Sequence, residues 1–162
     1  MKARLLLKFF VAVSVSLLAG AIGAIYTSTA IPTWYMTLPK PLLSPPGWVF
    51  MPVWTTLYVL MGLAAFLVWR KGIEQKDVRA ALDAFGFQLV LNAAWSVFFF
   101  GLRSPLLGLI DIAALWLAVV ATIIAFRRVS RPAAWLLAPY LAWVSFASYL
   151  NLSIWLMTRS AG

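Results

Sequence analysis

Gln88, Asn92, Trp95 and Phe99 recur in an apolar stretch at i, i+4, i+7 and i+11, which is one face of a helix. Trp143, Ala147 and Asn151 fall at i, i+4 and i+8, again on one face. In an apolar setting such amides and indoles have two uses. They hydrogen-bond helix to helix and fix the packing, or they are the few convergent polar groups of an aromatic-lined binding site. Proton-transfer chemistry has little to work with. The chain holds four carboxylates, with Glu74, Asp77 and Asp83 in or beside a polar stretch and Asp111 alone in an apolar run. No carboxylate pair is therefore available for general acid–base work, and a hydrolase or conventional transferase is not expected. Asp111 lies about 9 Å along its helix from Pro105 and is expected to bond a neighbouring helix or to pair with Arg103. Cys and His are both absent. Disulfides, zinc sites, thiolate nucleophiles and a His-ligated haem iron are thereby excluded, and no catalytic residue or metal ligand is assigned.

The elements that must position these residues follow from composition. Of 162 residues, 64% are hydrophobic and 10% charged, with a mean hydropathy of +0.96. An ordinary soluble domain carries roughly 25% charged residues and could not bury this much apolar surface. Each membrane helix needs about 20 apolar residues to cross roughly 30 Å of hydrocarbon, so the length holds about five spans with short loops and leaves no room for a soluble catalytic domain. The expected fold is an all-α integral membrane protein, a five-transmembrane-helix bundle forming a single domain over residues 1–162. The spans are placed at about 5–26, 48–69, 81–101, 105–126 and 134–157. The segment Ala19 to Ala24 resembles a signal-peptide cleavage region, but the run before it is closer to 20 residues than to the 7–15 of a signal core, so a retained span is expected. Residues 27–47 carry Pro32, Pro39, Pro41, Pro45 and Pro46. A membrane helix is not expected to survive so many prolines, so this segment is read as a loop that caps the bundle.

Charge decides orientation. Lys2, Arg4, Lys8, Arg70, Lys71, Lys76, Arg79, Arg127, Arg128 and Arg131 fall on one side of such a bundle, and Lys40, Arg103 and Arg159 on the other. By the positive-inside rule the N-terminus is expected in the cytoplasm, and the C-terminus and the Pro/Trp-rich loop outside, if the chain sits in an inner membrane. The net charge of +9 is read as this topology signal and as attraction to anionic membrane lipid. A nucleic-acid module would cluster its cations on a folded polar face, so no nucleic-acid partner is expected. With these directions, Trp54, Trp95, Phe99 and Asn151 share the outer half, beneath the loop bearing Trp34, Tyr35 and Trp48. A pocket lidded by that loop is the expectation.

Three segments carry a family resemblance. Trp34-Tyr35-Met36-Thr37-Leu38-Pro39-Lys40-Pro41, followed by Ser44-Pro45-Pro46-Gly47-Trp48-Val49-Phe50-Met51-Pro52-Val53-Trp54, closely resembles the first-loop signature of the TspO/translocator family, also called tryptophan-rich sensory or peripheral-type benzodiazepine-receptor proteins. Leu91-Asn92-Ala93-Ala94-Trp95-Ser96-Val97-Phe98-Phe99 resembles its third-helix motif. Pro139-Tyr140-Leu141-Ala142-Trp143-Val144-Ser145-Phe146-Ala147, continuing to Leu150-Asn151, resembles its fifth-helix motif. The chain looks like a bacterial-type member over essentially its whole length. The resemblance implies a five-helix bundle, usually a homodimer, that binds planar or polycyclic hydrophobic ligands beneath the first loop. It implies Trp34, Trp48, Trp54, Asn92, Trp95, Trp143, Ala147 and Asn151 as pocket residues. Tyr35, Pro46, Phe50 and Phe99, in the same motifs, complete the candidate set.

Bacterial members of that family are associated with porphyrins and haem intermediates, oxidative or light stress, and tetrapyrrole-linked regulation. Mitochondrial relatives bind cholesterol and benzodiazepine-type drugs. The cholesterol pattern needs a cation within about five residues after its Tyr, whereas Tyr149 is followed by none until Arg159, so the resemblance favours a tetrapyrrole. Porphyrin or haem is the candidate ligand and no cofactor is obligatory. Trp and Phe faces would stack on the macrocycle, and Lys40 or Arg103 could meet its propionates. The expected function is a tetrapyrrole-binding membrane receptor or sensor. Two alternatives are a transporter of such ligands, for which no Gly/Pro-broken helix pair or inverted repeat is visible, and a light-dependent porphyrin breakdown using Trp side chains.

Overall fold

The computed structural model describes residues 2–160. Among those residues its only regular secondary structure is helix: α1 Lys2–Ala30, α2 Phe50–Trp69, α3 Lys76–Ser96, α4 Pro105–Val129, α5 Arg131–Leu136 and α6 Ala138–Ser160. With α5 and α6 nearly continuous across Leu137, five segments are long and apolar enough to cross a membrane. Around the bundle, α1 packs on α2 and α3, α4 packs on α3 and α6, and α2 packs on α5 and only lightly on α6. The alternation brings the start of α1 to the end of α2, where Lys8 Nζ donates to Trp69 O at 3.3 Å. We call this the basic end and the opposite one the loop end.

The first helix overruns its expected stop. It continues past Tyr26 through a wider turn at Ile31–Tyr35, giving a helical path of 34 residues. Two local devices make this possible. The hydroxyls of Thr27, Thr29 and Thr33 fold back on carbonyls three or four residues earlier, so the polar run is satisfied inside the helix. Pro32, which has no N–H and whose ring clashes with the carbonyl four residues before it, falls in the widened turn that relieves the clash. At 1.5 Å per residue the path is about 50 Å long, so its last turns extend beyond roughly 30 Å of hydrocarbon. Trp34 and Tyr35 thus ride on a helix end and not on a loose loop. The true connection, residues 38–46, folds back over that end: Tyr35 Oη meets Ser44 Oγ at 3.3 Å, and Lys40 Nζ donates to Met36 O and Leu38 O at 3.2 and 3.1 Å above the Tyr35 ring.

Other boundaries shift for similar reasons. α3 starts at Lys76, with Asp77 in its first turn where a carboxylate complements the helix dipole, so the polar link shrinks to residues 70–75. α3 ends in a second widened turn, Val97–Gly101, which buries both Phe99 and Phe100. α4 begins as its sequence suggests, with Ser104 accepting from Leu107 N at 3.2 Å and Pro105 in the first turn. It runs on to Val129, and the last span begins at Arg131. The small residues of α1 serve the bundle itself. A Cβ on Gly23 would lie 2.8 Å from Ser96 Oγ, and one on Gly20 would run into the Tyr58 ring.

Candidate functional site

At the loop end the interior is filled by rings. Trp95 stacks on Phe99 with centroids 5.4 Å apart, Trp54 stacks on Tyr58 at 5.6 Å, and Trp34 meets Phe99 edge-on at 5.6 Å. Phe50 bridges Tyr35 and Trp143 at 5.9 and 6.1 Å. The gap among Tyr35, Phe50, Trp95, Phe99, Ala147 and Asn151 is only about 20 Å³, room for roughly one water. Directly beneath the connection, therefore, the bundle is packed.

Polar side chains lock this packing. Tyr58 Oη donates to Asn92 Oδ1, Asn92 Nδ2 donates to Tyr140 Oη at 3.0 Å, and Tyr140 Oη donates to Gln88 Oε1 at 2.7 Å. This chain ties α2 to α3 to α6. Beside it, Trp95 Nε1 donates to Asn151 Oδ1 at 3.1 Å and Asn151 Nδ2 donates to Pro105 O at 2.7 Å. Asn92 and Asn151 are each 1% exposed, so their amides work between helices and line no large space. Asp111 is buried on α4, but its Oδ2 has no hydrogen-bond partner, contrary to the expectation of a bonded or Arg103-paired carboxylate.

The space lies on the flank. A cavity of about 570 Å³ opens between the loop-end halves of α1 and α2. Its α1 wall is built of small residues, among them Gly20, Ala21, Gly23 and Ala24; its α2 wall carries Trp48, Phe50, Trp54 and Tyr58; Trp95, Ser96 and Phe100 of the third span form the back. The room exists because side chains without bulk face rings across the seam. The rim is exposed on both sides, at Ala21, Ala24 and Ser28 of α1 and, across from them, at Trp48 (74%) just before α2 and Met51 (76%) on it. Among the described residues, no Lys, Arg, Asp or Glu lines it.

The candidate residues divide accordingly. Trp48, Phe50, Trp54 and Trp95 face the flank cavity, while Tyr35, Phe99, Ala147 and Asn151 pack behind them around the small gap. Asn92 stands one hydrogen bond further in, behind Tyr58. Trp34 caps Phe99, Trp143 leans on Phe50 with its buried Nε1 unpartnered, and exposed Pro46 precedes Gly47 outside the wall. A pocket lidded by the whole first loop is thus replaced by a side cavity: of residues 27–47, Thr27, Ser28, Ile31, Pro32 and Gly47 line it, and the connection 38–46 does not. Lys40 is engaged with carbonyls of its own connection, and neither it nor Arg103 lines the cavity. Sequence reasoning missed Tyr58, Ser96, Phe100 and Tyr140. Tyr58 follows Trp54 at i+4, a usable signal; Tyr140, Val144, Ala147 and Asn151 form a fuller stripe at i, i+4, i+7 and i+11 than the one built on Trp143.

Residues 12–156 match the TspO/MBR family. The chain belongs to the TspO/MBR family. It is 47% identical over 142 residues to the tryptophan-rich protein TspO of Chlorobaculum tepidum, covering 88% of this chain and 90% of that one. It is 42% identical over 153 residues to the tryptophan-rich protein TspO of Archaeoglobus fulgidus, covering 94% and 97%. The translocator protein of Bos taurus is 41% identical over 139 residues, covering 85% and 82%. Family membership and five apolar spans together make this TspO/MBR chain a multi-pass integral membrane protein.

Proposed function

We infer that the protein is a membrane receptor or sensor that takes up a flat, hydrophobic tetrapyrrole, a porphyrin or haem intermediate, in the cavity between α1 and α2. One observation carries the reading: a charge-free cavity of about 570 Å³, within the roughly 300–1,000 Å³ usual for small-molecule sites, has indole and phenyl rings on one wall and small residues on the other. A planar ring system would stack on the aromatic wall and lie against the smooth one. The sensory role accords with relatives named tryptophan-rich sensory protein and translocator protein. Ten of thirteen cations at the basic end support a cytoplasmic N-terminus, with the cavity in the outer half of the bilayer. Two copies would pair on a face other than the small stripe of α1, which Tyr58 and Ser96 already occupy.

The test is a titration of purified protein with protoporphyrin IX followed by Trp fluorescence, in the natural chain and in Ala24→Trp. The new indole fills the cavity from its α1 wall without removing any ring. Saturable quenching, weakened at least about tenfold by the plug, supports the site. Quenching that does not saturate, or that ignores the plug, rejects it. A second reading, Trp-assisted photochemical breakdown of the porphyrin, draws on the adjacency of Trp54 and Trp95 in the wall, 6.4 Å between centroids. Its mark would be light-dependent loss of the porphyrin absorbance that Trp54→Phe slows while binding persists.

A further inference from the structure

Five hydroxyl-bearing side chains line the α1–α2 cavity: Thr27, Ser28, Thr55, Tyr58 and Ser96. Four are committed to protein acceptors. Thr27 donates to Gly23 O at 3.2 Å, Ser28 to Ile25 O at 3.5 Å, Thr55 to Met51 O at 2.8 Å, and Tyr58 to Asn92 Oδ1. Ser16, Ser145 and Ser148, elsewhere in the bundle, likewise return their hydroxyls to the carbonyl four residues back. Ser96 makes no such bond. It is 6% exposed, and its Oγ projects into the notch left by the missing side chain of Gly23, where a Cβ would come within 2.8 Å. Ser96 thus presents to the cavity a hydroxyl that no protein acceptor engages, and an apolar ligand that covered it without supplying an acceptor would leave it desolvated and unpaired.

We propose that Ser96 Oγ is the polar anchor of the cavity, donating to an uncharged oxygen acceptor at the buried end of a planar apolar ligand, such as a ketone or ester carbonyl. This rests on the reading of the cavity as the ligand site and adds the direction in which the ligand lies. With no cation in the wall, an ionised carboxylate at the back would be desolvated without compensation, so ionised groups belong at the exposed rim by Trp48 and Met51. A tetrapyrrole accordingly enters with its propionates trailing, and it engages Ser96 only when its opposite edge carries an uncharged oxygen, which protoporphyrin IX lacks. Ser96 is a specificity-determining residue: it separates ligands that carry a buried acceptor from otherwise similar hydrocarbons.

The experiment compares pyrene with 1-acetylpyrene, the same planar body with and without a carbonyl, on protein in lipid nanodiscs. Binding is read by energy transfer from Trp in the natural chain and in Ser96→Ala, and taking the ratio of the two ligands cancels their partition into lipid. The expected result is a preference for 1-acetylpyrene about 3- to 10-fold greater in the natural chain than in Ser96→Ala, with pyrene affinity unchanged between them. An unaltered preference, or an equal loss of both ligands, overturns the anchor and leaves the cavity in place. If neither ligand saturates the natural chain, the cavity reading and the anchor fall together. Should Ser96→Ala not fold, Ser96→Cys reads the same ratio, since a thiol fits the notch but is a weak donor.

Discussion

Adding one methyl group at two glycines should have opposite effects, and the geometry sets the size of the difference. A Cβ on Gly62 of α2 would lie 2.5 Å from the Val13 Cα and 3.1 Å from the Ala12 carbonyl oxygen of α1. Both are backbone atoms, so no rotamer relieves the clash. Carbon atoms rest at about 3.5–4.0 Å, so the seam must open by roughly 1 Å along the direction of contact. Overpacking of this kind costs about 1–3 kcal/mol. The gain in helix propensity from Gly to Ala, about 0.5–1 kcal/mol, returns only part of that. Gly86 of α3 has nothing within 4 Å of an added Cβ. There Gly86→Ala collects the propensity gain alone. The two variants should therefore differ in unfolding free energy by about 2 kcal/mol, Gly62→Ala below the natural chain and Gly86→Ala at or above it. SDS titration of the detergent-solubilised protein, followed by far-UV circular dichroism, measures the difference. Two variants indistinguishable within about 0.5 kcal/mol would refute the close α1–α2 contact, and with it the seam from which the cavity opens.

Two further perturbations address the polar locks. Tyr58→Phe keeps the ring stacked on Trp54 but strips Asn92 Oδ1 of its donor, and the same titration should show a loss of about 0.5–1.5 kcal/mol, modest because interhelical bonds in membranes average below 1 kcal/mol. Asn151→Leu leaves both the Trp95 N–H and the Pro105 carbonyl without their partner, so its cost should be larger, about 1–3 kcal/mol, with a shift in Trp emission that Tyr58→Phe does not produce. Equal costs for the two would mean that the Trp95–Asn151 pair does not hold α3 to α6.

The spans were legible because hydropathy over some twenty residues integrates a strong signal. The shape of their ends was not, and the reasons are local. Thr27, Thr29 and Thr33 look like loop residues by composition, yet each hydroxyl finds a carbonyl within its own helix. Pro32 reads as a helix breaker, yet a single widened turn absorbs it. The stripe of Gln88, Asn92, Trp95 and Phe99 was visible as a buried face, and all four are buried. Which of them meets a ligand was not visible, because that depends on what the opposing helix places across from each. Asn92 meets Tyr58 and Tyr140, whereas Trp95 reaches the flank cavity because α1 is thin at Gly20 and Gly23. Periodicity reports the face of one helix; a cavity is a property of two.

That distinction bears on how the site is probed. Gly20 and Gly23 serve packing and space at once: they let the Tyr58 ring and Ser96 Oγ approach α1, and they form part of the smooth wall. A larger residue at either position would lower binding and stability together, and lost binding there would say nothing about recognition. Ala24 belongs to the same wall but is exposed, so a bulky residue there can narrow the space without wedging the helices apart. Gly62 has the reverse character, since it fixes the seam and lines no part of the cavity. If the cavity is the site, Ala24→Trp should cost affinity and leave stability near that of the natural chain, whereas Gly62→Ala should cost stability first. The two effects separate because the basic-end halves of α1 and α2 are held backbone to backbone, while their loop-end halves are held apart by the rings of α2.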